Sequence, residues 1–514
     1  MFDAEEERLL HKGMAKRLCL LAGGVAVFVL ILAIPPLQGL SPEGRATLAT
    51  ASLMAWWWVT EVVPIAATSL VPLLLFPLFG VMPLKRVGAS YGDPNIFLFM
   101  GGFFMAVAME RWGLHRRVAL HIVRVVGTSP RRVLLGFMCA TAFLSMWISN
   151  TATAMLMLPI AMAVIRHVEE FVRQGALEDD AGFKTAMMLG IAYAASIGGI
   201  GTLIGTPPNI ILVASFRKLF PEAAEVGFAQ WLSIGLPLVV LFIPIAWIYL
   251  TYVGCKVRLR EIPGGRELIE EQLRSLGRMR REEASVLIVF ALMAIGWIWR
   301  ADLHLGSLVI PGWTTLVGLG ERVHDATVAL GAALLLFLLP GEGSKPLLDW
   351  ETAGRIPWGI LLLFGGGIAL ADGFAETGLA RWIGEHLTRL GDLPGPVMVI
   401  VTAALLVVLT EFTSNTAIAT IFMPILAATA VAIGENPLLL MIAGTVAVSL
   451  AFMLPVATPP NAIVFGSGYV RVSQMLRIGV VLDILGIALV VLLIYSVGIH
   501  VFQITPGVLP AWAR

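Results

Sequence analysis

The chain has 514 residues, of which 58% are hydrophobic and 13% charged, and its formal net charge is +1. Because soluble proteins carry about 25% charged residues, this composition excludes an ordinary soluble protein, and the balanced charge gives no reason to expect a nucleic-acid partner. Cys19, Cys139 and Cys255 are too scattered to indicate a disulfide framework or a thiolate metal site. Apolar runs of membrane-spanning length recur from end to end, which predicts an all-α polytopic membrane protein.

The first half of the chain, 18–253, is predicted to follow a cytoplasmic N-terminal tail, 1–17. Apolar spans alternate there with charged loops, and two apolar stretches are interrupted by polar residues or prolines. In chain order we predict spans at 18–36, 46–63, 64–82 and 95–111, an Arg-rich loop at 114–132, an interrupted segment at 133–165, a polar loop at 166–184, a broken helix at 185–216 and a span at 229–253.

The second half, 284–514, is predicted to follow a charged cytoplasmic segment, 254–283, and to repeat the same order of features. Together the halves predict about 11 transmembrane helices. The predicted elements are spans at 284–300, 324–340 and 357–375, an interrupted segment at 394–431, a broken helix at 437–468 and a last span at 478–501.

Arginine and lysine set the expected orientation. The N-terminal tail and the loops 114–132 and 255–283 are the richest in basic residues, which predicts that all three are cytoplasmic. Both ends of 133–165 then lie on the inner side, so this segment is expected to be a re-entrant hairpin. The same counting places the hairpin 394–431 and the C-terminus on the outer side, so the hairpins enter from opposite faces.

An internal repeat underlies this order. The tripeptide Ser-Asn-Thr occurs at 149–151 and again 265 positions later at 414–416, and the same spacing relates Gly-Gly, Gly-Leu and Pro elements nearby. Thr-Pro-Pro-Asn occurs at 206–209 and 458–461, a spacing of 252. A longer charged loop in the first copy absorbs the difference, as loops can. The pattern indicates an inverted repeat with two matched half-sites, as in secondary transporters.

The polar interruptions suit the binding of ions. In hydrocarbon, unwound backbone persists only where protein or a water-filled cavity satisfies its polar groups, and the Pro-Pro pairs at 207–208 and 459–460 produce such breaks. Freed carbonyls can bind a hard cation such as Na⁺, and the N-terminus of the next half-helix can hold an anion. Neither Lys nor Arg lies near the motifs, so an anion would be held by dipoles, amides, hydroxyls and co-bound cations.

Four acidic residues lie in or near apolar stretches, where ionisable groups are functional candidates. Glu61 precedes Pro64, and it could equally mark a membrane boundary. Glu411 lies three residues before Ser414, close to the second tripeptide. The remaining two are Asp372 and Asp483, and Asp483 could equally be a scaffold contact.

The motifs resemble those of a known family. Residues 142–153, which read Ala-Phe-Leu-Ser-Met-Trp-Ile-Ser-Asn-Thr-Ala-Thr, closely resemble the first signature of the divalent anion/sodium symporter (DASS) family. Residues 410–416 and 457–462 resemble its second signature, and the resemblance extends over nearly the whole chain. It implies a homodimer in the bacterial cell membrane, interleaved scaffold and transport domains, an elevator motion, and symport of Na⁺ with di- or tricarboxylates.

The same resemblance implies individual ligands, matched position by position. The first sodium site corresponds to Ser145, Ser149, Asn150 and Gly198. The second corresponds to Thr410, Thr413, Asn415 and Ala457, with Thr413 and Ala457 acting through their carbonyls. The substrate contacts correspond to Asn150, Thr151, Asn415 and Thr416, with Thr206 and Thr458 adjoining.

The sequence therefore predicts a Na⁺-coupled symporter of C4-dicarboxylates such as succinate, malate or fumarate, and no enzyme. A Na⁺-independent dicarboxylate exchanger and a carrier of sulfate or citrate remain alternatives, because some members of the resembled family do not need sodium. An intramembrane hydrolase is disfavoured, since the chain has no His-Glu-x-x-His motif and no convincing Ser-His or paired-Asp constellation. A channel would need no inverted pair of occluding hairpins.

Overall fold

The structure is a computed structural model that describes residues 4–34, 38–127, 129–305, 308–343, 345–387 and 394–513. The described chain is almost entirely helical, and its one sheet is the short antiparallel pair β1 (Leu303–Leu305) and β2 (Leu308–Ile310). Seven helical segments are long and apolar enough to cross a membrane. Four further apolar segments have 10–17 residues, less than the roughly 20 that a bilayer needs, so the count of about 11 spans stays a prediction.

In the first half, the described residues form twelve α-helices, several of which end at the glycines, prolines and polar tripeptides noted in the sequence. They are α1 (Ala4–Ala33), α2 (Pro42–Thr60), α3 (Ile65–Thr68), α4 (Val71–Leu78), α5 (Leu84–Ser90), α6 (Pro94–Arg111), α7 (Leu114–Val126), α8 (Pro130–Ser145), α9 (Asn150–Arg173), α10 (Ala181–Gly199), α11 (Pro207–Leu219) and α12 (Phe228–Ile248), which continues into a π-helical turn at Tyr249–Gly254.

The second half begins with the helices of the charged segment and ends with a long apolar helix. Its helices are α13 (Gly265–Ser275), α14 (Arg281–Ile298), α15 (Trp313–Leu316), α16 (Asp325–Leu338), α17 (Trp350–Ala353), α18 (Trp358–Glu376), α19 (Leu379–Leu387), α20 (Gly395–Thr410), α21 (Asn415–Ala432), α22 (Pro437–Ala447), α23 (Pro459–Phe465), α24 (Val472–Leu493) and α25 (Ile499–Val501).

Three predicted elements differ from the structure. The span predicted at 64–82 is two short helices, α3 and α4, separated at Ser69 and Leu70. The Arg-rich stretch 114–132 is not a loop: it contains α7, an amphipathic helix that buries Leu120 and Val123 and exposes Arg124. The charged segment 254–283 contains α13. Charge density marked both stretches as non-membrane, but the 3.6-residue spacing of their apolar residues is enough to form a helix.

The charged segment is anchored on α7 by a buried ion pair. Arg117 and Glu283 are 7% and 6% exposed, and the Nε of Arg117 donates to Glu283 Oε2 over 2.9 Å. The same guanidinium donates to the carbonyls of Gly277 and Leu276. A buried charge of this kind needs both a partner and hydrogen bonds, and both are present. The pair holds the segment that joins the two halves of the chain.

The core brings the two halves together through a reciprocal exchange of helices. α23, from the second half, packs on α9 and α10 of the first, while α11, from the first half, packs on α21 and α22 of the second. α8 packs on α10 in the same way that α20 packs on α22. As a result, the segments that interrupt α8–α9, α10–α11, α20–α21 and α22–α23 meet in the middle of the molecule.

Candidate functional site

The interruptions of these four helix pairs surround one cavity of about 670 Å³, within the usual size range of small-ligand sites. All six residues predicted to contact the substrate line it, and so do five of the eight predicted sodium ligands. The lining includes Ser149, Asn150, Thr151, Thr206, Thr413, Asn415, Thr416, Ala457 and Thr458. The other three predicted sodium ligands, Ser145, Gly198 and Thr410, are buried outside this lining.

At the junction of α8 and α9, which we call the first tip (145–151), two acceptor oxygens lie within hydrogen-bond distance of one hydroxyl group. Ser145 Oγ lies 2.6 Å from Asn150 Oδ1 and 2.7 Å from the carbonyl oxygen of Ala195 in α10. A serine hydroxyl has one hydrogen, so it can donate to only one of these acceptors. The tip therefore has more acceptor oxygens than donors, an arrangement that a small cation would satisfy.

The junction of α20 and α21, the second tip (410–416), has the same arrangement. Thr410 Oγ1 lies 2.6 Å from Asn415 Oδ1 and 2.9 Å from the carbonyl oxygen of Val448 in α22. Thr410 is fully buried, as is Ser145 at the first tip. Both tips thus present a neutral set of oxygens, which is the ligand type preferred by hard cations.

The α10 helix approaches the first tip too closely for a side chain. A Cβ on Gly198 would lie 2.3 Å from the carbonyl oxygen of Ala142, and a Cβ on Gly199 would lie 2.6 Å from Asn150 Oδ1. Glycine is required at such close backbone contacts. Gly198, which the family resemblance places at the first cation site, must be glycine because the end of α10 contacts the backbone of α8 there.

Four helix N-termini end at the cavity. Residues at the starts of α9, α11, α21 and α23 are all part of its lining, and each such end carries a partial positive charge. Unbonded N–H groups are present at the starts of α9 and α21, whereas α11 and α23 each begin with two prolines, which have no N–H. Thr206 and Ser414, which precede α11 and α21, make no side-chain cap hydrogen bond. Among the described residues that line the cavity, none is Lys or Arg. Any attraction of this cavity for an anion would therefore come from helix dipoles and from co-bound cations.

Two asparagines brace the unwound segments, and the sequence analysis did not include them among the site residues. The Nδ2 of Asn209 donates to the carbonyls of Gly199 and Thr202 over 3.1 and 2.7 Å. The Nδ2 of Asn461 donates to those of Ala451 and Leu454 over 2.9 and 3.0 Å. Each is the last residue of a Thr-Pro-Pro-Asn motif. The repetition of this asparagine in the two copies could have identified both residues as part of the site.

Glu411 has a structural partner that its position in the sequence did not reveal. It is fully buried, and its Oε1 and Oε2 accept the N–H groups of Met453 and Leu454 over 2.8 and 2.9 Å. These residues lie in the unwound segment between α22 and α23. Glu411 therefore holds that segment against the second tip. Asp483, on α24, is also buried and lies outside the cavity lining.

Asp372 lies away from the cavity. Its Oδ2 accepts the hydroxyl of Ser90 over 2.6 Å and lies 3.4 Å from Nζ of Lys218 at the end of α11. Glu61, by contrast, lines the cavity at the end of α2. Of the four acidic candidates, Glu61 lines the cavity and Asp372 forms an ion pair away from it. The other two, Glu411 and Asp483, are buried outside the cavity lining.

Two solved structures have a similar fold. The YdaH transporter of Alcanivorax borkumensis is 12% identical, with a TM-score of 0.53 over 88% of this chain and 98% of that chain. MtrF of Neisseria gonorrhoeae is 13% identical, with a TM-score of 0.57 over 95% of this chain and 97% of that chain. At these identities the likeness concerns the fold alone. Fold and cavity together define the class as a polytopic helical membrane protein with a polar cavity between its two halves.

The chain belongs to the sodium:sulfate symporter family, whose transmembrane-region model matches residues 15–504. It is 45% identical over 493 residues to the sodium-dependent dicarboxylate transporter SdcS of Staphylococcus saprophyticus, covering 94% of this chain and 92% of the relative. It is 42% identical over 478 residues to SdcS of Staphylococcus aureus, covering 92% of this chain and 90% of the relative. These matches cover both tips and both broken helices.

Proposed function

We propose that the protein is a secondary active transporter that couples the inward movement of Na⁺ to the uptake of a C4-dicarboxylate such as succinate, malate or fumarate. The observation that carries the proposal is the pair of oxygen-rich tips that share one cavity with four helix N-termini. The names of the relatives, which are sodium-dependent dicarboxylate transporters, support the choice of ions.

Each tip is proposed to bind one sodium ion. At the first tip the ligands are drawn from Ser145, Ser149, Asn150 and the backbone at Gly198, and at the second from Thr410, Asn415 and the carbonyls of Thr413 and Ala457. All are neutral oxygens, so each bound ion would leave a net positive charge beside the cavity. That charge would attract the carboxylate of the substrate, and the attraction makes the binding of the two species mutually dependent.

The dicarboxylate is proposed to lie between the tips, with one carboxylate at each. Asn150 and Thr151 would hold one end and Asn415 and Thr416 the other, with Thr206 and Thr458 adjoining. The first N–H groups of α21 lack a side-chain cap, and they can donate to a carboxylate. α11 begins with Pro207 and Pro208, which have no N–H, so it would act through its dipole alone. Because the site has no fixed cation among its described lining residues, the anion would lose its affinity when sodium leaves.

The proposal is tested by measuring uptake of labelled succinate into proteoliposomes with and without an inward Na⁺ gradient. Uptake is expected to depend on the gradient and to saturate with sodium. Uptake that is unchanged without Na⁺ would contradict the coupling. Counterflow against an internal dicarboxylate then identifies an exchanger, and competition by sulfate or citrate tests the other alternative substrates.

The molecular arrangement that we propose is an inverted repeat with re-entrant hairpins at α8–α9 and α20–α21, a cytoplasmic N-terminus and an outer C-terminus, in a homodimer. Transport would occur by an elevator motion. α11 packs on α21 and α22, whereas α18 packs on α2, α3, α4, α5 and α6. The contact between α11 and α18 is therefore the proposed boundary between the moving and the static domains.

A cross-linking experiment tests this boundary. In a variant without the three native cysteines, Lys218→Cys on α11 and Asp372→Cys on α18, whose parent side chains are 3.4 Å apart, are joined by a short bismaleimide. We expect the cross-link to stop uptake, because the helices must slide past one another. The matched control joins Arg86→Cys and Glu376→Cys, whose parent side chains are 2.6 Å apart and lie on α5 and α18, both on the static side. Equal activity of the two cross-linked proteins would contradict an elevator motion at this boundary.

A further inference from the structure

Glu61 is an acidic residue in a cavity that we assign to an anion. It lines the cavity on the side formed by the end of α2, together with Val59 and Thr60. Among the described residues of the lining, Glu61 carries the only charge. Within the described part of the chain its carboxylate makes neither an ion pair nor a hydrogen bond. A fixed negative charge therefore faces the binding region without a neutralising partner.

The backbone holds Glu61 in an unfavourable conformation. Its φ and ψ are 49° and 23°, the left-handed region, where only three non-glycine residues of the described chain lie. The turn is fixed on both sides, because Thr60 Oγ1 donates to the carbonyl of Trp56 and the indole N–H of Trp58 donates to that of Ile65. Backbone strain of this kind is concentrated at functional sites, and here it fixes the position from which a carboxylate reaches the cavity.

A fixed negative charge acts on ions according to their charge. The Coulomb energy between two ions is proportional to the product of their charges, so a carboxylate near the site repels a trianion more than a dianion and a dianion more than a monoanion. The helix N-termini at the cavity attract the same anions, and this attraction opposes the repulsion by the carboxylate. The difference between the attraction and the repulsion determines which anion charge the cavity prefers.

We propose that Glu61 is a specificity-determining residue that makes the site select anions by net charge, lowering affinity for trivalent anions such as citrate more than for divalent ones. The inference rests on the proposed function, because it assumes that an anion occupies this cavity. It extends that function by naming a residue at the end of α2 that lies in neither repeated motif. Glu61 also attracts sodium toward the cavity before the anion binds.

The test is equilibrium displacement of labelled succinate from the purified full-length protein at saturating Na⁺. The competitors are monomethyl succinate, succinate and citrate at pH 7.5, where they carry about one, two and three negative charges. If Glu61→Gln tightens succinate by about threefold, a Coulomb effect proportional to charge requires about 1.7-fold for the monoanion and about fivefold for citrate. Added salt should reduce all three effects, because Glu61 is exposed to solvent.

Three further variants separate charge from structure. Glu61→Asp keeps the charge and should keep the order of affinities. Glu61→Asn removes the charge and suits a left-handed backbone, so it repeats the Gln result if the Gln variant folds poorly. Thr60→Val, the neutral neighbour, should change all three affinities by one common factor. A uniform factor for Glu61→Gln, no change, or weaker binding of citrate would overturn the inference. If the wild-type protein does not bind succinate at all, the proposed function itself is wrong.

Discussion

Replacing Asn415 or Asn150 with alanine is expected to abolish sodium-driven uptake while leaving the protein folded. Each substitution removes Oδ1 from a tip where it lies 2.6 Å from the hydroxyl of Thr410 or Ser145. It also removes the amide that would contact the substrate. A hydrogen bond to a charged group contributes about 1.5–3 kcal/mol, so the loss of one cation ligand alone should weaken sodium binding roughly 10- to 100-fold.

The measurement is the dependence of succinate uptake on sodium concentration, together with the melting temperature of each variant in detergent. Asn436→Ala is the matched control, because it is the same substitution at an asparagine that is buried and caps α22 away from the cavity, where its Oδ1 accepts the N–H of Leu438 over 3.0 Å. Loss of such a cap costs about 1 kcal/mol of stability, and uptake should remain. Near-normal uptake by both tip variants would show that the tripeptides only join helices.

The tips could be predicted from the sequence because their chemistry is local and repeated. Asn150 lies five positions after Ser145, and Asn415 lies five positions after Thr410, so each pair spans a single helix junction. The constant spacing of 265 between the copies then indicates that both belong to one site. The structure places the two tips at one cavity, as the repeat suggested. Either motif alone would not have shown that the two tips are neighbours in the fold.

The contacts that hold the unwound segments could not be predicted, because they join residues that are distant in the sequence or use the backbone as partner. Glu411 reaches N–H groups 42 and 43 positions later. Asn461 bonds carbonyls whose availability depends on where α22 ends. Sequence patterns locate a polar side chain in an apolar region, but backbone partners become available only when a helix breaks at a particular residue.

The helical form of 114–126 was missed for a related reason. Its arginines indicated a cytoplasmic position, and a charged connection between membrane segments was interpreted as a loop. In the structure α7 packs on α8 and α13, and its buried Arg117 is paired with Glu283. The partner lies 166 positions away. Only the complete fold can therefore show that one arginine of this stretch is buried while its neighbours are exposed.

Replacing Glu411 with alanine is expected to stop transport by releasing the segment that carries Ala457, a proposed sodium ligand. The substitution leaves the N–H groups of Met453 and Leu454, two half-buried residues, without acceptors. Each unsatisfied group costs about 1–3 kcal/mol, so we expect the free energy of unfolding to fall by roughly 2–6 kcal/mol. Glu411→Gln keeps one acceptor oxygen, and its loss of stability and of uptake should be intermediate.

The two halves of the repeat supply the comparison that makes this prediction specific. At the position that matches Glu411 the first half has Met146, and there the unwound segment is held by the hydroxyl of Thr202, which donates to the carbonyl of Met146. Thr202→Val removes that one bond, so it should lower both the melting temperature and the uptake less than Glu411→Ala does.

Glu435→Ala is the surface control. It removes a carboxylate that accepts the N–H of Gly507 at the exposed surface over 2.9 Å, and it should change neither the melting temperature nor the uptake by much. If Glu411→Ala behaved like Glu435→Ala, the anchoring of the unwound segment would not be a requirement for transport. A proposed sodium ligand supplied by a backbone carbonyl has no side chain to adjust, so its position depends on the groups that hold the backbone. In the second half these groups are the Glu411 carboxylate and the Asn461 amide.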